Sequence, residues 1–152
     1  MSREVVSLVE LRAVAEAFLR KLATTPRTES ATVVALSGDL GAGKTAFTKE
    51  VAALLDITET ITSPTFVLEK KYPIPSGKNA IGFRTLVHID AYRLNSSKEM
   101  RALAWDEVLA DPANLVLIEW PEQVAEVIPA QAHRISFEYV DEGVRRISGE
   151  DI

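Results

Sequence analysis

Apolar residues recur at three- and four-residue spacing through Leu11, Val14, Ala15, Phe18 and Leu22, which predicts an amphipathic helix of about four turns. Ser7-Leu8-Val9-Glu10 reads as the capping box that starts it, and Arg20 and Lys21 suit the negative pole of its carboxyl end. A polar linker from Thr24 to Ser30, containing Pro26, leads into the apolar run Ala31-Thr32-Val33-Val34-Ala35-Leu36, a core strand. Phe47, Val51, Leu54 and Leu55 then return to helical spacing. Val67 to Tyr72 and Thr85 to Asp90 are strand-like on either side of Pro73, Pro75 and Gly77, so they form a hairpin with a long loop. Glu99 to Leu109 has helical character, and Leu115-Val116-Leu117-Ile118, ending at Glu119, has the continuous apolarity of a strand buried on both faces. Pro121 opens a short helix carrying Val124, Val127 and Ile128, which Pro129 stops. His133 to Val140 and Val144 to Ile147 make a terminal hairpin around Asp141-Glu142-Gly143. The expected fold is α/β, a three-layer arrangement with a mixed sheet that has a parallel core and antiparallel hairpin additions, formed as a single domain over residues 1–152.

Composition narrows the classes of function. A chain of 152 residues with a hydrophobic fraction of 47% is long enough for one sizeable core and leaves little room for a second substrate domain. It has no cysteine, which excludes a disulfide framework and a thiolate metal site. No apolar run approaches the roughly 20 residues that span a bilayer, and the amino end lacks a signal-peptide pattern, so the expectation is a cytoplasmic protein without a membrane partner. A net charge of −5 opposes independent binding to DNA or RNA; if RNA is involved, a partner holds it.

The core strand and the helix after it enclose Gly38-Asp39-Leu40-Gly41-Ala42-Gly43-Lys44-Thr45, which fits G-x-x-x-x-G-K-[ST] at every fixed position and in the context that the motif requires. Glycines let the backbone N–H groups close around a phosphate. The nucleotide-binding candidates are therefore Asp39, Leu40, Gly41, Ala42, Gly43, Lys44, Thr45 and Ala46, with ATP and Mg²⁺ as the expected ligands. Lys44 supplies a point charge to the β and γ phosphates, and the Thr45 hydroxyl is placed to ligate Mg²⁺.

Hydrolysis needs a carboxylate for the metal shell and a group that orients water. Two strands end in an acid, Asp90 after Leu86-Val87-His88-Ile89 and Glu119 after Leu115-Val116-Leu117-Ile118, and strand carboxyl ends are where an open α/β sheet binds ligands. Asp90 is assigned to the Mg²⁺ shell through water and Glu119 to positioning or deprotonating water, although the two can be exchanged and either acid could instead cap a turn. Thr65, in Ser63-Pro64-Thr65-Phe66, falls where related hydrolases keep a loop that senses the γ-phosphate; the alternative is a proline turn with a solvated hydroxyl. His88 shares a strand face with Asp90 and reads as a packed, hydrogen-bonded side chain. Trp105 reads as core and Trp120 as core or rim packing, with stacking near a nucleotide as its functional alternative. No Asn-Lys-x-Asp segment reads guanine, so adenine is the expected base, and no arginine finger or water-positioning glutamine stands out, so the isolated chain should be slow.

Four ordered segments, Gly38 to Thr45, Ser63-Pro64-Thr65-Phe66, His88-Ile89-Asp90-Ala91-Tyr92-Arg93-Leu94 and Ile118-Glu119-Trp120-Pro121-Glu122, resemble the TsaE (YjeE) family over about Val33 to Val140. The resemblance implies a small P-loop ATPase that acts with the TsaB and TsaD subunits in attaching threonylcarbamoyl to the tRNA adenosine beside the anticodon, with tRNA held by TsaD. It implies phosphate and metal roles for Lys44 and Thr45, a metal role for Asp90, a role in hydrolysis for Glu119 and a switch-like loop at Thr65. Two features depart from the family pattern. Leu11 and Ala15 stand where many members have a Thr and a Gly, and Lys71 to Arg84 is longer than expected. A small-molecule kinase and a non-hydrolysing nucleotide sensor are the alternatives.

Overall fold

The computed structural model describes residues 1–62 and 68–152; the proposed switch at Thr65 lies outside the described residues. Seven strands among the described residues form one sheet: β1 (Ser2–Val5), β2 (Thr32–Ser37), β3 (Glu69–Pro73), β4 (Thr85–Asp90), β5 (Asn114–Glu119), β6 (His133–Asp141) and β7 (Val144–Gly149), in the order β1-β7-β6-β2-β5-β4-β3. The central strands β4, β5, β2 and β6 run parallel, whereas β3, β7 and β1 are antiparallel additions at the two sides.

Alternation along the central strands divides the core in two. Val34 and Leu36 of β2, Leu86 of β4, and Leu115 and Leu117 of β5 face α1 (Leu8–Thr24) and α2 (Lys44–Leu54), where Phe18, Leu22, Phe47 and Val51 are buried. Val33, Ala35, Val87, Ile89, Val116 and Ile118 face the other way, onto Met100, Val124 and α3 (Trp105–Ala110). Every residue of β5 is buried, as its apolar run requires at the centre of a three-layer fold. No helix among the described residues is long and apolar enough to cross a membrane.

Half of the capping box at the start of α1 forms as expected, the Ser7 hydroxyl accepting from the Glu10 N–H at 3.2 Å, while the Glu10 carboxylate accepts from the Val6 N–H, one residue before the N-cap, at 2.6 Å. Two elements differ from expectation. The predicted helix over Glu99 to Leu109 is a 3-10 segment, Ser97–Leu103, followed by α3, because Ala104 adopts a left-handed φ of 53° and breaks the run. The short helix expected from Pro121 forms, as a 3-10 segment, Pro121–Val127. Strand β1 was not predicted; it exists because β7, at the other end of the chain, offers it an edge, with Ser2 opposite Ser148 and Val5 opposite Arg145.

The long loop after β3 is packed at the end of the sheet opposite to the carboxyl ends of β2, β4 and β5. The Ile74 N–H donates to Arg84 O at 2.8 Å, Asn79 Nδ2 donates to Asp56 Oδ2 at 3.0 Å, and the Arg27 guanidinium lies 3.6 Å from the Phe83 ring centre while donating to Ile81 O.

Candidate functional site at the strand ends

In a parallel ladder, residues in lateral register share a face, and here Leu36, Glu119 and Asp90 are consecutive in register across β2, β5 and β4. The face they share is the one that α2 covers, and β2 continues past Ser37 into the glycine loop from which α2 departs with Gly43 as its N-cap. Thr45, in the first turn of α2, is thereby set beside Glu119: its Oγ1 donates to the two carboxylate oxygens at 3.2 and 3.3 Å. Leu40, Gly41, Gly43, Lys44, Thr45, Ala46, Asp90, Glu119 and Trp120 line one cleft of about 290 Å³. Both strand-end acids thus face the loop.

The loop itself is held against the sheet. A Cβ at Gly38 would stand 2.4 Å from the carbonyl oxygen of Phe137 in β6, and the residue has φ 145°, so neither space nor backbone admits a side chain. The Ala42 N–H donates to Asp39 O at 3.1 Å, closing the turn. Lys44 folds back over it, with Nζ donating to Gly38 O and standing 3.9 Å above the centre of the Trp120 ring. Burial lowers the pKa of the Lys44 ammonium, and the negative charges of Glu119, Glu122, Asp90 and Asp39 act in the opposite sense. Trp120 reaches this position because it takes a left-handed φ of 58° directly after β5; its ring packs 4.9 Å from that of Tyr92. Such strain in a bulky residue is found where the surroundings over-determine a conformation. Trp105 is core, with Nε1 donating to Val127 O at 3.1 Å.

The two acids are used differently. Asp90 Oδ1 accepts from the Tyr92 N–H at 3.0 Å, so this side chain caps a turn as well as lining the cleft. Glu119, 4% exposed, does not cap the segment begun by Pro121; besides Thr45 it contacts His88, whose Nε2 lies 2.6 Å from Oε2. His88 is fully buried, and its Nδ1 has no hydrogen-bond partner. A carboxylate accepts and does not donate, so Nε2 is the donor in this contact, and Nδ1 is left buried without a partner. An unsatisfied buried polar atom costs about 1–3 kcal/mol.

A second hollow, of about 340 Å³, lies on the other side of the same loop. Val5, Leu8, Leu11, Phe137, Arg145 and Ile147 line it with Gly41 to Gly43, and Arg145 Nε donates to Gly41 O at 3.1 Å. Sequence reasoning did not find this wall, since its residues come from both ends of the chain. Of the two first-helix positions that depart from the family pattern, Leu11 lines the hollow and Ala15 is buried in the core.

The family described as "Threonylcarbamoyl adenosine biosynthesis protein TsaE" matches residues 7–147. The chain belongs to the TsaE family. Its role is accordingly in tRNA threonylcarbamoyladenosine biosynthesis. It is 38% identical over 120 residues to the TsaE protein of Treponema pallidum, covering 79% of this chain and 82% of that one. With the TsaE protein of Mycobacterium bovis it shares 40% identity over 126 residues, covering 78% of this chain and 67% of that one. The crystal structure of Bacillus subtilis YdiB superposes with a TM-score of 0.71 at 28% identity, covering 97% of this chain and 82% of that one.

The oxygen donors in the cleft, the Thr45 hydroxyl and the carboxylates of Asp90 and Glu119, suit a hard divalent cation. No group of three or more His, Cys, Asp or Glu among the described residues could hold a metal by itself.

Proposed function

We propose that the chain is an Mg²⁺-dependent ATPase, slow by itself, that acts with TsaB and TsaD in the threonylcarbamoyl modification of the tRNA adenosine beside the anticodon, in the cytoplasm. The observation that carries this reading is the convergence of the glycine loop, Thr45, Asp90 and Glu119 on one cleft. The backbone N–H groups from Asp39 to Ala46 cradle the phosphates, and Lys44 exchanges its bond to Gly38 O for the β and γ oxygens. The neighbouring hollow, apolar and continuous with Gly41 to Gly43, takes the base. Thr45 and Asp90 would hold Mg²⁺, Asp90 through water, and the cation would supply charge neutralisation to the phosphates. Glu119 orients the attacking water and accepts its proton.

The acidity of the chain, net −5, supports contact with tRNA through partners. Slowness alone follows from the lack of an evident arginine finger; an arginine supplied in trans can raise such a rate by about 10³–10⁵. Phosphate release from Mg²⁺-ATP is to be measured with the purified chain, then with TsaB and TsaD added. Stimulation by the partners is expected. Turnover that no partner raises, together with phosphorylation of a small metabolite, would give the kinase reading the better claim.

A further inference from the structure

His88 has no part in that scheme, yet it is fully buried and in direct contact with one of its carboxylates. Its strand neighbours on the same face are Leu86 and, across the ladder, Leu117, both fully buried, so an apolar side chain would suit the position. The histidine leaves Nδ1 without a partner and aims Nε2 at Glu119 Oε2, 2.6 Å away. Packing does not explain a polar ring that is satisfied at one atom alone, when that atom is the one touching the cleft carboxylate.

We infer that His88 is a positioning residue, which tethers the Glu119 carboxylate from within the sheet so that its other oxygen faces the cleft. The inference rests on the hydrolase reading above. Glu119 has two side-chain donors, one on each flank: the Thr45 hydroxyl on the first turn of α2 and the His88 ring on β4. A Thr45 hydroxyl that turns to a metal gives up its contact with the carboxylate. The bond from His88 persists, because β4 and β5 are locked in register from Thr85 opposite Asn114 to Asp90 opposite Glu119. His88 thereby fixes which oxygen of Glu119 is bound inward and which is left for water, and Glu119 keeps its orientation while the contacts of Thr45 change.

The test compares His88→Leu, His88→Gln and His88→Asn by thermal melting, by ATP affinity with Mg²⁺ present, and by single-turnover phosphate release. The amide nitrogen of Gln falls near the place of Nε2, whereas that of Asn falls near Nδ1. The Leu and Asn variants are expected to lose turnover by about 10- to 100-fold, the range for groups that orient a site residue, with ATP affinity unchanged. Gln is expected to restore turnover close to wild type. If the Leu variant does not fold, the Gln and Asn pair carries the comparison. A Leu variant as fast as wild type overturns the inference, and so does a Gln variant as slow as the Asn one, since packing would then account for the residue. A wild-type chain that hydrolyses nothing, even with partners, removes the ATPase reading and this inference with it.

Discussion

Replacing Glu119 separates the stability of the cleft from its chemistry. Glu119→Ala removes the acceptor for the His88 Nε2–H and for the Thr45 hydroxyl, and the histidine is fully buried with no second partner on its other nitrogen. Orphaning a buried donor costs about 1–3 kcal/mol. For a chain of this size, 1 kcal/mol moves the melting temperature by about 2–4 °C, so the alanine variant should melt roughly 2–12 °C lower. Glu119→Gln should melt close to wild type. Its amide oxygen can accept from His88 while its amide nitrogen donates to Thr45 Oγ1, which, as a hydroxyl, accepts as readily as it donates.

The same two variants should be alike in activity. Neither keeps a carboxylate to take a proton from water, and loss of a positioned general base costs about 10²–10⁴ in rate. ATP affinity should hold or tighten in both, because each removes a negative charge beside the proposed site of the triphosphate. Differential scanning fluorimetry, ATP titration and single-turnover phosphate release read the three quantities independently. Wild-type hydrolysis by either variant would refute the role given to Glu119. An alanine variant that melts with wild type would refute the claim that His88 depends on it.

Three further outcomes follow from the geometry. Lys44→Ala should abolish ATP binding in micromolar titrations, since each charge-assisted bond to a phosphate is worth about 1.5–3 kcal/mol, or roughly 10- to 150-fold. Wild-type affinity should fall as pH rises through the ammonium pKa, which burial sets below 10.5, and an ATP titration across that range that stays flat would contradict the role given to the ammonium. Gly38→Ala should melt well below Gly41→Ala: the first drives a Cβ into the Phe137 carbonyl at 2.4 Å, whereas Gly41 has nothing within 4 Å and incurs a left-handed backbone cost of about 1–2 kcal/mol. Equal melting temperatures would contradict that order. Glu69 has a buried, unpartnered Oε1, and burial raises its pKa above 4.5 against the pull of Lys71. The folded chain therefore binds this proton more tightly than the unfolded chain, and stability falls as pH rises from about 4.5 through the raised value. Glu69→Gln should be the more stable protein at neutral pH, with the advantage vanishing in acid; urea melts at the two pH values decide it.

What could be read from the chain alone was what its chemistry fixes locally. Gly38 to Thr45 is legible because glycine spacing, lysine and hydroxyl lie within one turn of backbone, and the two acids are legible because each ends an apolar run. Glu99 to Leu109 misleads because its apolar spacing suits either one helix or two short ones, and the left-handed turn at Ala104 has no glycine to announce it. Strand β1 and the hollow lined by Val5, Phe137 and Ile147 are assembled from both ends of the chain, so no window of sequence contains their signal. His88 lies between these cases. Period two places it on the face of Asp90, and from there a packed histidine is the natural reading. Its contact is with Glu119, 31 residues on, and it exists because β4 adds beside β5 in parallel and in lateral register. The sheet order converts two unrelated strand ends into one hydrogen-bonded unit: α2 delivers Thr45 to it from above, and β4 delivers His88 from within. A histidine two residues before a strand-end acid, on the face that α2 covers, therefore points to a carboxylate on the next parallel strand, since that neighbour is where its ring nitrogen can reach.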